Sequence, residues 1–272
     1  MQENRCRMKK QKVIGLCKAL TCGDFIPAVL EGIYDFLDEI IFVYPDRKWD
    51  GSIAKNEVCG AVREWKFKND YALKITQWHT ELIDQNEQYG WAIDKICKEA
   101  QPDWIFIFDT DEVWDAASMG KLVKRASELT YENALYCKMH TYIKSPLYRI
   151  EPEEPCTPCV MVRGIPEIFR GVRGNQSRPG TVLDGLKFHH FSYVRNTDEE
   201  VFEKAILSTG ADGLQTVNMS EWKAEKWNQL PNSINLHTTK KCEDFWKGVR
   251  VIDKRELPEA VLELEIFKRS VK

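Results

Sequence analysis

The chain has 272 residues, 43% of them hydrophobic and 30% charged, which are ordinary proportions for a folded globular protein. Its net charge of −3 excludes a global positive field for nucleic acid, although a local basic strip would still suit a polyanionic partner. The sequence has no apolar run of about 18 residues, so it predicts no membrane-spanning helix. A polar, basic N-terminus and an odd count of nine scattered cysteines predict a reduced, cytoplasmic protein rather than a secreted one.

The first elements predict a strand, a helix and a second strand. Val13–Cys17 and Ile40–Tyr44 are short apolar runs typical of buried strands. Between them, apolar residues recur at helical spacing from Phe25 to Leu37. Such a unit of about 32 residues predicts a right-handed crossover and a parallel sheet.

The middle of the chain predicts an extension of this sheet. A weak alternation over Val62–Phe67 predicts a third strand, and the apolar spacing over residues 86–100 predicts a helix with Asn86 as its N-cap. Trp104–Phe108 is apolar at every position, which is typical of a central parallel strand covered by helices on both faces. A further helix is predicted over Ala116–Leu129.

The last part of the chain changes character. Its predicted strands are 134–143, 160–163, 167–170 and 187–194, with a loop at 171–180. Its predicted helices are 199–207, 220–230, 243–251 and 258–267. We therefore expect a core over residues 1–197 and a helical C-terminal extension over 198–272 that packs on the core.

Acidic residues follow two of the predicted parallel strands. Three carboxylates lie within Asp109–Glu112, directly after Trp104–Phe108, and Asp46 and Asp50 follow the second strand. Ligands of parallel sheets bind outside the carboxyl ends of the strands. A divalent cation that also contacts substrate phosphates would offset the repulsion among the acids. The alternative is that Asp109–Glu112 only caps the next helix.

Four segments together resemble the family 2 glycosyltransferases and their GT-A relatives. DWIFIFDTDE, at 103–112, resembles their strand and DxD motif, and YPDRKWDGS, at 44–52, resembles their second-strand loop. Gln85–Asn86 resembles the Arg-Asn pair that often precedes that strand, and HHFSYVRNTDEEVFEKA, at 189–205, resembles the segment with a metal-binding histidine. The resemblance implies a GT-A fold, a Rossmann-like α/β/α sandwich with a mixed central sheet.

The resemblance also implies the roles of individual residues. A Mn²⁺ or Mg²⁺ ion would be held by Asp109, Asp111 and His190, with His189 as the alternative to His190, and would bridge the two phosphates of the donor. An imidazole ligand favours manganese. Glu112 and Trp114 would face the donor sugar. The implied donor-binding residues are Lys18, Ala19, Asp46, Asp50, Asn86, Asp109 and Trp114.

The catalytic residues predicted from the sequence are Asp111, Glu112 and Glu167. An inverting transferase needs a carboxylate base near the acceptor hydroxyl, and a retaining mechanism stays open. The candidates for this base are Glu151, Glu153, Glu154, Glu167 and Asp184. We choose Glu167 because it lies between two predicted strands, whereas Glu151–Pro155 is more typical of a solvated loop.

The predicted function is transfer of a sugar from a nucleotide diphosphate sugar, a UDP-sugar above all, to an acceptor hydroxyl. The acceptor stays open among a glycan, a lipid, a protein and a modified nucleic-acid base, and so does the oligomeric state. One alternative is a nucleotidyltransferase, but Lys18–Gly23 lacks the glycine-rich loop usual after the first strand of that class. The other is a non-catalytic nucleotide-sugar-binding protein, in which we would expect one of the acids to be lost.

Overall fold

The computed structural model describes residues 11–48, 51–54, 57–166, 173, 180–211, 216–239, 242 and 245–270. The strands are β1 (Val13–Lys18), β2 (Glu39–Pro45), β3 (Ile75–Thr80), β4 (Trp104–Phe108), β5 (Glu112–Val113), β6 (Ala134–Ile143), β7 (Tyr148–Glu151), β8 (Cys159–Arg163), β9 (Thr181–Tyr193) and β10 (Gly248–Val251). The helices are α1 (Ile26–Ile33), α2 (Glu57–Asn69), α3 (Gln85–Ala100), α4 (Ala116–Glu128), α5 (Asp198–Ala211), α6 (Met219–Glu225), α7 (Glu259–Leu262) and α8 (Glu265–Ser270).

These strands form one mixed sheet in the order β10-β7-β6-β8-β4-β1-β2-β3, with β9 paired to β6 and β5. The pairs β1–β2, β1–β4 and β2–β3 are parallel, whereas β8 is antiparallel to both β4 and β6. Helices flank the sheet, so the predicted mixed α/β fold is confirmed. Among the described residues, none of the helices is both long enough and apolar enough to cross a lipid bilayer.

The central parallel strands are buried on both faces. All six residues of β1 and all five of β4 are buried. Alternate residues pack into two separate clusters, with Phe106 in one and Ile105 beside Ile93 of α3 in the other. This two-sided burial explains why Val13–Cys17 of β1 and all of β4 are apolar.

The C-terminal part joins the sheet as well as packing on it. β10 pairs antiparallel with β7, so this part contributes a strand and is not entirely helical. Trp222 and Trp227 pack in one cluster with Ile143 of β6 and Ile150 of β7. The boundary between a core at 1–197 and an extension at 198–272 stays a prediction.

Two of the predicted elements are wrong. Val62–Phe67 is part of α2, which buries Val58, Cys59 and Val62 on one side and leaves Phe67 exposed. The third parallel strand is instead β3, a sequence of mixed polarity. The predicted helix 243–251 contains β10.

The predicted N-cap is also wrong, because the cap of α3 is Asp84, whose carboxylate accepts hydrogen bonds from the backbone N–H groups of Asn86 and Glu87. The predicted strand 167–170 lies outside the described residues.

Candidate active site

A cleft of about 800 Å³ opens beyond the carboxyl ends of β1 and β4. Lys18, the last residue of β1, lines one wall together with Asp109 and Asp111, which follow β4. His190 of β9 and Trp246 of the C-terminal part also line the cleft. The volume falls within the range of small-molecule and cofactor sites, and the position is the usual one for ligands of open α/β sheets.

The acidic turn is fixed by its pairing with β9. The backbone N–H of Glu112 donates to the carbonyl of Asp109 at 3.2 Å, which turns the chain after β4. β5 then runs antiparallel to β9, with Glu112 opposite His190. The backbone N–H of Phe191 donates to the carbonyl of Asp111 at 2.9 Å. Backbone pairing therefore holds the second aspartate of the motif beside the histidine.

Arg173 neutralises two of the three carboxylates. Its Nη1 lies 2.9 Å from Asp109 Oδ2 and 2.8 Å from Glu112 Oε1, and its Nη2 lies 2.9 Å from Glu112 Oε2. The hydroxyl of Tyr89 donates to Asp109 Oδ1 at 3.2 Å. Burial raises the pKa of Glu112, while the contact with Arg173 opposes this rise. Glu112 is 2% exposed and is held against Arg173 in the protein interior.

Asp111 contacts three basic side chains. Its Oδ2 accepts from Arg195 Nη2 at 2.8 Å and from Lys204 Nζ at 3.0 Å, and its Oδ1 lies 3.7 Å from His190 Nε2. Burial by itself would raise the pKa of Asp111, but Lys204 and Arg195 hold it well below its usual value. Asp111 is therefore ionised at every physiological pH.

Two donor atoms at this turn, Asp111 Oδ1 and His190 Nε2, could contact a divalent cation, whereas within the described residues His, Cys, Asp and Glu form no group of three or more that could hold one. Burial lowers the pKa of His190 to about 4, so the imidazole is neutral at pH 7 and can offer a lone pair. Asp111 Oδ1 faces this ring, and two protein ligands leave coordination positions for phosphate oxygens and water. The oxygens of Asp109 already accept from Tyr89 and Arg173, so its predicted role as a ligand has less support.

Of the two adjacent histidines, His190 faces the cleft. His189 points to the opposite face of β9, where its Nδ1 pairs with the hydroxyl of Tyr142 at 2.8 Å and its ring stacks on the same residue. Successive side chains of a strand point to opposite faces, which is why the two rings separate.

The other predicted donor-binding residues are dispersed. Trp114 is 1% exposed and stacks on Phe188 in the core. The expectation that it faces the donor sugar in the cleft is therefore wrong. Ala19 is buried and donates its backbone N–H to Val43. Asp46 is exposed, with Oδ1 3.7 Å from His79 Nδ1.

Asn86 lies in the first turn of α3, next to Gln85, which lines the cleft. Asp50 and Glu167 lie outside the described residues.

The structure adds basic residues that sequence reasoning did not assign to the acidic turn. Arg195 and Lys204 belong to the 189–205 segment that carries the family resemblance, so their position there was a usable signal. Arg173 stands 61 positions beyond Glu112 in a loop, and its contact with the acids is set by tertiary structure alone.

The mixed α/β fold, with a cleft beyond the carboxyl ends of its parallel strands, agrees with the GT-A fold predicted from the sequence. Residues 69–196 match the profile described as Glycosyl transferase family 2. The match spans just under half of the chain and confirms the resemblance to that family.

Solved structures with similar architecture were also found. Residues 1–349 of TarS from S. aureus are 14% identical, with a TM-score of 0.42, and the match covers 74% of this chain and 65% of that one. The same fragment in complex with UDP-GlcNAc is 13% identical, with a TM-score of 0.44 over 74% and 66% of the two chains. HddC from Yersinia pseudotuberculosis is 8% identical, with a TM-score of 0.41 over 71% and 97%. This chain thus spans just under two thirds of the TarS fragment. Among curated proteins, none matches it.

Proposed function

We propose that this chain transfers a sugar from a nucleotide diphosphate sugar to an acceptor hydroxyl in a reaction that depends on a divalent cation. The observation that carries the proposal is the cleft at the carboxyl ends of β1 and β4, in which Asp111 faces His190 beside Lys204. The family match over residues 69–196 supports the same class of reaction. A UDP-sugar is the first donor to test, because a similar structure contains UDP-GlcNAc.

The two protein ligands proposed for the cation are Asp111 and His190, and a neutral imidazole favours manganese over magnesium. When bound, the cation supplies positive charge that offsets the negative charge developing on the leaving diphosphate. Lys204 and Arg195 already contact Asp111, so the cation would share this carboxylate with them. Asp109, at the edge of the cleft, stays our proposal for the ribose contact or a further cation contact.

Lys18 is the proposed diphosphate contact on the wall formed by β1. Burial lowers its pKa to about 7, and its Nζ lies 5.2 Å from the centre of the Tyr89 ring. An anion placed next to this amine would raise its pKa again, because an opposite charge favours the protonated form. Lys18 would therefore bind a diphosphate in its protonated form, although burial alone disfavours that form.

A thermal-shift screen of nucleoside diphosphates, with and without MnCl₂, tests the proposal. A diphosphate at about 100 times its Kd should stabilise the protein by about 2.7 kcal/mol. We expect one nucleotide to give a shift that requires manganese, and the matching nucleotide sugar to release that diphosphate on incubation with the protein. Release of pyrophosphate from a nucleoside triphosphate in the presence of a sugar 1-phosphate would instead indicate a nucleotidyltransferase. No shift and no release with any nucleotide would contradict sugar transfer.

The acceptor and the compartment stay proposals too. A glycan, a lipid, a protein or a modified nucleic-acid base would each present a hydroxyl, and the cytoplasm is the location that the scattered cysteines favour. Incubation of the purified protein with a radiolabelled donor and fractionated cell material would identify the class of acceptor by the fraction that becomes labelled.

A further inference from the structure

A carboxylate outside the acidic turn faces the same cleft. Glu154 lies in the loop between β7 and β8 and lines the cleft while most of its surface is covered. Its Oε2 accepts a hydrogen bond from Thr141 Oγ1 at 2.8 Å. Thr141 is itself buried, so this contact fixes the carboxylate in position at the cleft wall.

Strand register sets the position of Glu154 relative to the proposed cation site. Thr141 of β6 is the parallel partner of His190 of β9. Paired residues on neighbouring strands project to the same face and lie about 4.8 Å apart. Glu154 is hydrogen-bonded to Thr141, and Thr141 lies beside His190 on the next strand. His190 in turn has its Nε2 3.7 Å from Asp111 Oδ1, so Glu154 lies near the proposed cation site.

The wall beside Glu154 differs from the basic wall around Asp111. The rings of His237 and Trp246 both line it, with centroids 4.4 Å apart. Thr239 and Ser192 add hydroxyl groups to the same cleft. Aromatic faces combined with hydroxyls suit a neutral, hydroxyl-bearing ring better than a diphosphate.

We infer that Glu154 is the general base that deprotonates the acceptor hydroxyl, with His237 and Trp246 forming the acceptor wall. The inference rests on the proposed sugar transfer. The acceptor O–H bond breaks and its proton moves to the carboxylate of Glu154. The acceptor oxygen bonds to the anomeric carbon, and the bond from that carbon to the diphosphate oxygen breaks with its electron pair leaving on the diphosphate.

The surroundings of Glu154 agree with this role. Burial raises its pKa, with the hydrogen bond from Thr141 opposing, and a carboxylate of higher pKa is a stronger base. Of the candidate bases within the described residues, Glu154 lines the cleft, whereas Glu151, Glu153 and Asp184 do not.

The neighbouring Glu153 provides a matched control. Its carboxylate contacts Lys187 and lies 3.5 Å from the Nδ1 of His140. His140 and Thr141 are adjacent on β6, so their side chains point to opposite faces. Glu153 contacts His140 and Glu154 contacts Thr141, so the two glutamates lie on opposite sides of the strand. Glu153 is exposed and does not line the cleft.

The experiment measures UDP release from UDP-glucose and UDP-N-acetylglucosamine with water or azide as the acceptor. Water needs a base, whereas azide is an anion that attacks the anomeric carbon without losing a proton. We expect Glu154→Gln to lower release with water by about 10²-fold or more, the range of general base catalysis. Glu153→Gln should retain the wild-type rate. Excess azide should restore release in Glu154→Ala, with a glycosyl azide as the product detected by mass spectrometry.

Two results would overturn only the assignment of Glu154. One is a wild-type rate in Glu154→Gln, and the other is loss of the UDP-induced thermal shift together with the rate, which would show a structural role. The assignment is supported if Glu154→Gln keeps the UDP-induced thermal shift but loses the rate of UDP release with water. It is also supported if the pH profile of that rate loses its acidic limb in the variant. No UDP release by the wild-type protein with either acceptor would instead contradict sugar transfer itself, and the assignment with it.

Discussion

Removing Arg173 should destabilise the protein strongly, because its charge compensates a buried carboxylate. Arg173 and Glu112 are 5% and 2% exposed, so solvent provides little screening for either. Arg173 also donates to the backbone carbonyls of Ile107 and Cys159, both at 3.1 Å. Loss of one partner of a buried pair costs about 3–5 kcal/mol. For a chain of this size, we expect Arg173→Met to lower the melting temperature by roughly 10 °C near pH 8.

The cost should also depend on pH, with a sign set by Glu112. Because burial raises the pKa of Glu112 in the folded protein, its contribution to stability is present below the pKa of an unfolded carboxyl and is lost as pH rises through the folded value. Without Arg173 the folded pKa rises further. At pH 5 Glu112 is then protonated and needs no positively charged partner, so Arg173→Met should destabilise the protein less at pH 5 than at pH 8.

Thermal and guanidinium melts of four proteins at pH 5 and pH 8 would measure this. The double variant Glu112→Gln/Arg173→Met should recover part of the loss, because the uncompensated charge is gone. Arg125→Met removes an exposed pair with Glu128 and should change stability by about 0.5 kcal/mol or less. Wild-type stability of Arg173→Met at pH 8, or an equal loss at both pH values, would refute the reasoning.

Three further predictions concern the proposed cation site. Asp111→Asn should abolish UDP release while the circular dichroism spectrum stays native, because Arg195 keeps its hydrogen bonds to the carbonyls of Phe191 and Val194. As a control, substitution of an exposed aspartate, Asp35→Asn, should leave the protein active. Full activity of Asp111→Asn would rule out the cation assignment. Lys204→Met should tighten Mn²⁺ binding in the presence of UDP severalfold by calorimetry, since Lys204 competes for Asp111 Oδ2, and weaker binding would contradict this competition. With a pKa of about 4, His190 should leave Mn²⁺ affinity nearly constant from pH 8 to about pH 5.5, whereas a fall centred near pH 6.5, the pKa of an ordinary histidine, would contradict the effect of burial on this ring.

The parts of the fold that the sequence predicted well are those in which burial is two-sided or strictly periodic. β1, β2 and β4 are almost entirely buried, so their apolar runs leave little choice of structure. The alternation of His189 and His190 on a strand likewise predicts that one ring faces the site, and the structure shows that it is His190. Local pattern is sufficient in these cases because the burial of each residue follows from its position along its own strand.

The parts that could not be predicted depend on contacts between distant segments. α2 buries only a narrow face, so its polar sequence resembles a half-exposed strand. β3 has only its two end residues fully buried and shows no clear alternation. The contacts of Arg173 with Glu112 and of Lys204 with Asp111 span 61 and 93 positions, and no local rule links these residues.

The ladder between β10 and β7 has a consequence for how the chain can be divided. Four residue pairs connect the last strand to the sheet that carries the acidic turn. A fragment ending near residue 197 would leave the edge of β7 unpaired and strip Ile150 of its tryptophan neighbours. Exposed edges of this kind promote aggregation. The change in composition near residue 197 is therefore a poor place to shorten the chain for expression.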